Sequence, residues 1–385
     1  MIRLFGRLFD PNDRGLCLVT VEGSTVTAIS TATTAPDDAI GGPDTRILPG
    51  LLDIQVNGAF GDDFADPASD IDGIRRRMAQ FGVTAFVPTI VTSPADAYAP
   101  ALAHLTRPRA AGAATVLGAH IEGPYLSPSY HGTHNPALLR APDRRQALGW
   151  LDAGEVRYVT LAPELPGALA VIDLLVRHGV RVAIGHTDAT WDQAQAAADA
   201  GASLVTHLFN AMRPLRGRDP GVVGHALRSH LSTGFIGDGN HIAFETIGML
   251  ARIKGPDELH LVTDALAGLG MPPGRYRLAD QEYISDGTAG RLPDGTLSGS
   301  LLPLNRSLRN LVDRAGLEPA LAVRLATLNP ARALGVDHEH GRVAVGRPAD
   351  LTLVGDDWEV LLTVIGGAVA FRADDDGDEA GSAPA

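Results

Sequence analysis

Apolar positions along this chain come in short runs separated by turn formers, and the character of the runs changes twice. Over residues 2–9, 15–22 and 25–30 they alternate or are β-branched, with DPND and EGS between them, which predicts strands joined by tight turns. Residues 342–345, 350–354 and 360–371 return to that pattern, so the two ends of the chain are expected to pair into one small β domain. Between them the runs are more continuously apolar and alternate with helix-spaced segments, as βα units with a parallel sheet require. Eight such runs, at 51–56, 84–90, 115–121, 156–162, 181–184, 202–206, 233–236 and 259–263, predict eight strands. Among the intervening segments, Ile71, Ile74, Met78 and Phe81 sit at near-helical spacing, PGALAVIDLLVRHG ends in a glycine stop, and TWDQAQAAADAG starts at Thr190, a residue suited to cap a helix. The expected class is α/β: a (β/α)8 TIM-like barrel over residues 49–339, with a small companion domain from residues 1–48 and 340–372. Residues 373–385 are acidic and then small, and predict a disordered tail.

Charge narrows the partners. With 32 Lys+Arg against 45 Asp+Glu the formal charge is −13, whereas a nucleic-acid binder draws its affinity from a basic face. No run approaches the roughly 18 uninterrupted apolar residues of a membrane helix, and the opening MIRLFGRLFDPNDRG lacks the apolar stretch of a signal peptide. Cys17 is the only cysteine, which excludes an internal disulfide and a four-cysteine metal cluster and suits a reducing cytoplasm. A soluble cytoplasmic protein without nucleic-acid or membrane partners is expected.

Active sites of such barrels are built at the C-terminal ends of the strands, and the residues that follow each run are polar in an unusual way. Gln55 and Asn57 end the first; Glu122 ends the third; His186 follows the fifth, His207 the sixth, Asp238, Asn240 and His241 the seventh, and Asp264 the eighth. Turn residues are more often Ser, Asn, Asp or Gly. Glu122, His186 and His207 make an N/N/O set that suits Zn2+ or another first-row divalent ion with a position left open for water. Asp264 would then be the general base that takes the proton of that water and later hands it to the leaving group. Any one of these residues alone would more simply be a buried polar group satisfied by nearby backbone; the four together point to a site.

These residues lie in motifs that carry a resemblance. PGLLDIQVNGAFGDDF, GAHIEGPYLSPSYHGTHNP, AIGHTDATWDQAQAAADAG, THLFNAM followed by GRDPG, GDGNHI, LVTDA, DGTLSGS and TLNPARALG, in this order from about residue 46 to residue 367, resemble the N-acetylglucosamine-6-phosphate deacetylase family of the amidohydrolase superfamily. The ends of the chain, with GRVAVGRPADLTLV, resemble the small β-sandwich that accompanies many amidohydrolase barrels. The resemblance implies hydrolysis of the acetamide of N-acetylglucosamine 6-phosphate to glucosamine 6-phosphate and acetate, in amino-sugar catabolism and cell-wall sugar recycling. It implies Glu122, His186 and His207 as metal ligands and Asp264 as the catalytic aspartate. His134 would lie by the acetyl carbonyl; Asn210 and Ala211 would touch the sugar phosphate, and Arg218 and His241 would contact the phosphate. Such contacts can cross a subunit boundary in this family, so a homodimer is implied.

Many amidohydrolases carry His-x-His at the end of the first strand and bind a second metal there, but this chain has Gln55-Val-Asn57. Neutral amides are poor ligands beside imidazole and carboxylate, so one divalent ion per subunit is expected, Zn2+ first, with Fe2+, Co2+ or Mn2+ suited to the same donors. Two alternatives stay open: a substrate changed to the galactosamine epimer or another N-acyl amino sugar, and a non-catalytic barrel that only binds a sugar phosphate. His120, two before Glu122 on the same side of a strand, either lines the pocket or supports a ligand. His104, His178, His338 and His340 read as surface or capping residues, His225, His230 and His260 have no distinguishing context, and Cys17 reads as core.

Overall fold

The computed structural model describes residues 1–107 and 110–373, so that of the expected acidic tail only Ala373 falls within it. The eight apolar runs form eight parallel strands laid side by side in chain order: Leu51–Val56, Val83–Val91, a third broken into Thr115–Val116 and Ala119–Glu122, Val156–Leu161, Arg181–Ile184, Leu204–Val205, Ser232–Ile236 and Leu259–Val262. The first two are buried along their whole length, as strands covered on both faces must be. Between the eighth and the first strand there is no ladder; single bonds close the barrel instead, among them the Asp264 N–H to Gln55 O at 3.0 Å and the Asn57 N–H to Ala265 O at 2.7 Å.

Outside the strands the helices sit where the spacing places them. Ile71–Arg77 continues into a 3-10 turn over Met78–Phe81 and buries Ile71, Ile74 and Met78. Thr190 caps Trp191–Asp199 in a reciprocal capping box with Gln193. Inside the barrel, Leu52, Ile54, Ala85, Val87, Tyr158, Ala183, Leu204, Ile236 and Val262 pack into one cluster with Ala331 and Leu334 of the helix Leu328–Leu334. That helix closes the bottom: Leu52 N–H donates to Ala326 O, and Asn329 Nδ2 donates to Leu259 O, both at strand starts. The opposite, C-terminal end is left for chemistry.

The ends of the chain form one seven-stranded sheet that curls around a single core containing Leu4, Cys17, Val19, Ile47, Leu351 and Val364. Its middle strand, Ile40–Pro49, was not evident from the pattern, because only its last three residues are buried and GGP interrupts its start. Residues 342–345 do not form a strand; Gly346 and Arg347 instead bond to Val26 at the sheet edge. Residues 360–371 divide into Val360–Ile365 and Ala368–Arg372 at the Gly366-Gly367 turn. A second unforeseen element follows the eighth barrel strand: four short antiparallel strands, Gly274–Leu278, Gln281–Ser285, Ala289–Arg291 and Leu297–Ser300, built on Leu266, Leu278, Tyr283 and Leu301. No helix among the described residues is long and apolar enough to cross a membrane.

Candidate active site

At the open end of the barrel the backbone turns sharply as it leaves the strands. His186, His207 and Asp264, each two residues past a strand, have φ of +48°, +26° and +52°, and Phe209 and Ala211 follow with +77° and +46°. Left-handed conformations cost non-glycine residues roughly 1–3 kcal/mol each and persist only where the surroundings over-determine them; His and Asp enter that region more readily than most. Gly132, at φ +59°, belongs to the same crowding: a Cβ there would meet His186 Cε1 at 3.1 Å.

These turns bring three potential ligand atoms together. Glu122 Oε1 lies 3.2 Å from His186 Nε2 and 3.1 Å from His207 Nε2, and the two nitrogens are 3.1 Å apart, all buried. Among the described residues this is the one group of three or more His, Cys, Asp or Glu placed to hold a metal. The His186 Nδ1–H donates to Tyr130 O at 3.0 Å, which leaves the lone pair on Nε2, where a ligand needs it. Burial alone would raise the Glu122 carboxyl, but the hydrogen bonds and charges of both histidines hold it well below the usual range. Burial likewise opposes charge on His207, and Glu122 overrides it and raises that imidazole. Two imidazole nitrogens and one carboxylate oxygen gathered at one point are a donor set that fits one divalent cation.

Asp264 stands beside this group and not within it. Its Oδ1 accepts from Asn57 Nδ2 at 2.8 Å and from Gln55 Nε2 at 3.1 Å, and Gln55 Nε2 also reaches Glu122 Oε1 at 3.3 Å. Burial, and then the charge of Glu122, raise the Asp264 carboxyl above its ordinary value.

His134 has the opposite tautomer to His186. The Thr92 N–H donates to its Nδ1 at 3.3 Å, and the Thr92 hydroxyl is 2.8 Å from the same atom, so the proton resides on Nε2. Burial, helped by His186, pushes His134 well below the usual imidazole range and keeps it neutral, a hydrogen-bond donor whose ring centre is 4.5 Å from that of His186. His241 is oriented by Asp238, whose Oδ2 lies 2.8 Å from Nδ1 while Oδ1 accepts the Asn240 and His241 amides at 2.9 Å.

A cavity of about 260 Å³ joins these parts, bordered by Asn57, His134, His186, His207, Asn210, Ala211, His241 and Asp264. Arg218 is not among them: it is exposed on the loop that follows Arg213, which is itself pinned by Asp188 and Asp219. His120 does not border the cavity either. Its two nitrogens meet the hydroxyls of Thr89 and Thr160 at 3.0 and 2.8 Å inside the barrel, and burial pushes it down to about 3. Sequence reasoning assigned no role to Leu278, Thr296, Leu297 and Ser298, which form the wall supplied by the inserted strands. The motif DGTLSGS was the available signal. A larger cleft of about 750 Å³ lies between residues 61–67 and the same insert, but it lacks the Glu-His-His group, and its half-buried carboxylate, Asp63, is already bonded to the Ala65 and Ala279 amides.

The Amidohydrolase family model matches residues 46–370. The chain belongs to the amidohydrolase family, with the N-acetylglucosamine-6-phosphate deacetylases. It is 38% identical over 351 residues to the N-acetylglucosamine-6-phosphate deacetylase of Homo sapiens, covering 86% of this chain and 84% of that protein. It is also 36% identical over 332 residues to an N-acetylgalactosamine-6-phosphate deacetylase of Escherichia coli O157:H7, covering 84% of this chain and 87% of the relative. A mutant of the N-acetyl-D-glucosamine-6-phosphate deacetylase of Mycobacterium smegmatis, solved in complex with N-acetyl-D-glucosamine-6-phosphate, superposes with a TM-score of 0.90 at 32% identity, covering 97% of this chain and 100% of that one.

Proposed function

We propose that this chain hydrolyses the acetamide of N-acetylglucosamine 6-phosphate, releasing glucosamine 6-phosphate and acetate. The observation that carries the reading is the separation of roles at the barrel mouth: a buried Glu122-His186-His207 group, with Asp264 bonded to two amides beside it. Membership among amino-sugar-phosphate deacetylases at 36–38% identity supports the same substrate class.

Glu122, His186 and His207 would hold one divalent cation, Zn2+ first, with Fe2+, Co2+ or Mn2+ suited to the same donors. When bound, such an ion supplies Lewis acidity toward water and the amide carbonyl. The rest of the reaction belongs to side chains. Asp264, its Oδ1 engaged by Gln55 and Asn57, has Oδ2 free to accept the proton of the attacking water, and the protonated carboxyl then gives it to the nitrogen so that the amine can leave. A raised carboxyl pKa favours that second half of the cycle. The neutral His134 presents Nε2–H to the oxygen on which negative charge grows. His241, held by Asp238, and the Asn210-Ala211 turn receive the phosphate end, whose binding energy positions the acetamide.

Arg218 fits this scheme as a phosphate contact made to a neighbouring subunit, since its loop is exposed and away from its own cavity. A cytoplasmic homodimer follows from that reading, with the reduced, buried Cys17 compatible with the compartment.

The test is release of free amine by the purified zinc-loaded protein from N-acetylglucosamine 6-phosphate, its galactosamine epimer and unphosphorylated N-acetylglucosamine. Turnover greatest on the first supports the proposal. Faster turnover of the epimer moves the assignment to the galactosamine substrate, and no amine from any of them contradicts the enzymatic reading.

A further inference from the structure

Asp53 lies on the first barrel strand, fully buried, and no step above uses it. A buried carboxylate is unfavourable unless its oxygens find donors, and burial pushes this one up to about 7. Its donors are specific. Asp53 Oδ2 accepts from Thr263 Oγ1 at 2.5 Å, Oδ1 accepts the Thr263 N–H at 3.2 Å, and the Gln55 N–H is 3.4 Å away. Thr263 Oγ1 accepts in turn from the Ala265 N–H at 3.1 Å. The residues on either side of Asp264 therefore both hang from one carboxylate. Asp264 itself, at φ +52°, donates its N–H to Gln55 O at 3.0 Å and accepts the Ser300 N–H at 3.1 Å.

Three of these bonds, Thr263 Oγ1 and N–H to Asp53 and the Asp264 N–H to Gln55 O, lie across the seam between the eighth and the first strand, where no ladder fixes the backbone. A strained residue there holds its conformation only if its neighbours are fixed by other means. Asp53 is suited to this task by having two acceptor oxygens: an asparagine would turn an NH2 group toward one of the same donors.

We propose that Asp53, acting through Thr263, is a positioning residue for the hydrolysis: it fixes the backbone on both sides of Asp264 and so aims that carboxylate at the reacting water. The inference rests on the proton-carrying role of Asp264. Asp53 touches neither the substrate nor the Glu122-His186-His207 group, so its loss should change the chemical step and leave binding alone.

Thr263→Val removes the hydroxyl with nearly unchanged volume, and Thr263→Ser keeps it. Zinc-loaded Thr263→Val should lose about 10- to 100-fold in kcat, as misplacement of a catalytic group by an ångström or less does, with KM and bound zinc unchanged, while Thr263→Ser stays within about threefold of the parent. Asp53→Asn, which sets an NH2 group against one of the two Thr263 donors, should lower kcat in the same direction and serves where that variant folds poorly. Unaltered kcat in Thr263→Val or Asp53→Asn, with only a lower melting temperature, would overturn the proposal and leave Asp53 as a seam-closing residue. A fall in kcat matched by loss of zinc, or an equal fall in Thr263→Ser, would overturn it as well. Asp264→Asn run beside them tells the two readings apart: turnover there would remove the role of Asp264 itself, whereas inactivity there with a normal Thr263→Val removes only the role of Asp53.

Discussion

On one side of the barrel mouth Glu122, His186 and His207 point lone pairs at a common centre, with 3.1–3.2 Å between them; on the other, Gln55 and Asn57 point N–H groups at Asp264 and Glu122. The first arrangement gathers ligand atoms around one point, as a cation would require, and the second directs N–H hydrogens at two neighbouring carboxylates. The amides offset part of the repulsion between two neighbouring carboxylates and occupy one oxygen of Asp264, which sets it apart from the Glu122-His186-His207 group. A similar opposition separates His186, whose Nδ1–H is given to Tyr130 O so that Nε2 can ligate, from His134, whose Nδ1 accepts from Thr92 so that Nε2–H can donate.

The comparison is broken most severely at Asp264. Asp264→Asn removes the proton acceptor without touching the three ligands, so kcat should fall by about 100- to 10,000-fold with bound zinc retained; loss of zinc in this variant would make Asp264 a ligand. His134→Ala should lower kcat by about 100- to 1,000-fold, the effect of deleting one donor to a growing oxyanion, and steady-state kinetics at saturating substrate would read it.

Asn57→Ala tests the amide side. Losing a hydrogen bond to the charged form should raise the Asp264 carboxyl further above its ordinary value. Because activity needs the carboxylate and is lost as pH falls through its pKa, the acidic limb of the kcat profile should move to higher pH. A limb that stays in place would mean that Asn57 does not stabilise the charged form.

The smallest expected effect is on stability. Asp53 ionises near 7 when folded and near 3.8 when unfolded, so the folded protein holds a proton that the unfolded chain releases. The resulting stability is complete below about pH 4 and is lost as pH rises to about 7. Urea midpoints measured between pH 5 and 8 should decline with this sign, and Asp53→Asn should flatten the decline.

Most of this architecture is legible in the sequence because parallel strands buried on both faces read as continuous apolar runs, and all eight were found within a few residues. The polar group at the barrel mouth was legible for a related reason: Glu122, His186, His207 and Asp264 each follow such a run, where a barrel places its chemistry. What escaped has physical causes. The strand Ile40–Pro49 buries only its last three residues, so its pairing with both ends of the chain leaves little apolar signature. The insert over residues 274–300 is made of short, half-exposed strands, and its contribution of Thr296 and Ser298 to the cavity depends on tertiary placement. No spacing rule connects Asp53 to Thr263, which are 210 residues apart and meet only because the barrel closes.

On the proposed mechanism a single cation, set against the amide-held Asp264, supports the hydrolysis. The most direct test of that mechanism is to strip the protein with chelator, add zinc back in measured equivalents, and follow both bound metal and release of amine from N-acetylglucosamine 6-phosphate. No turnover is expected without metal, and activity should reach a plateau at one equivalent per chain. Turnover by the stripped protein, or activity that rises only with a second bound equivalent, would contradict it.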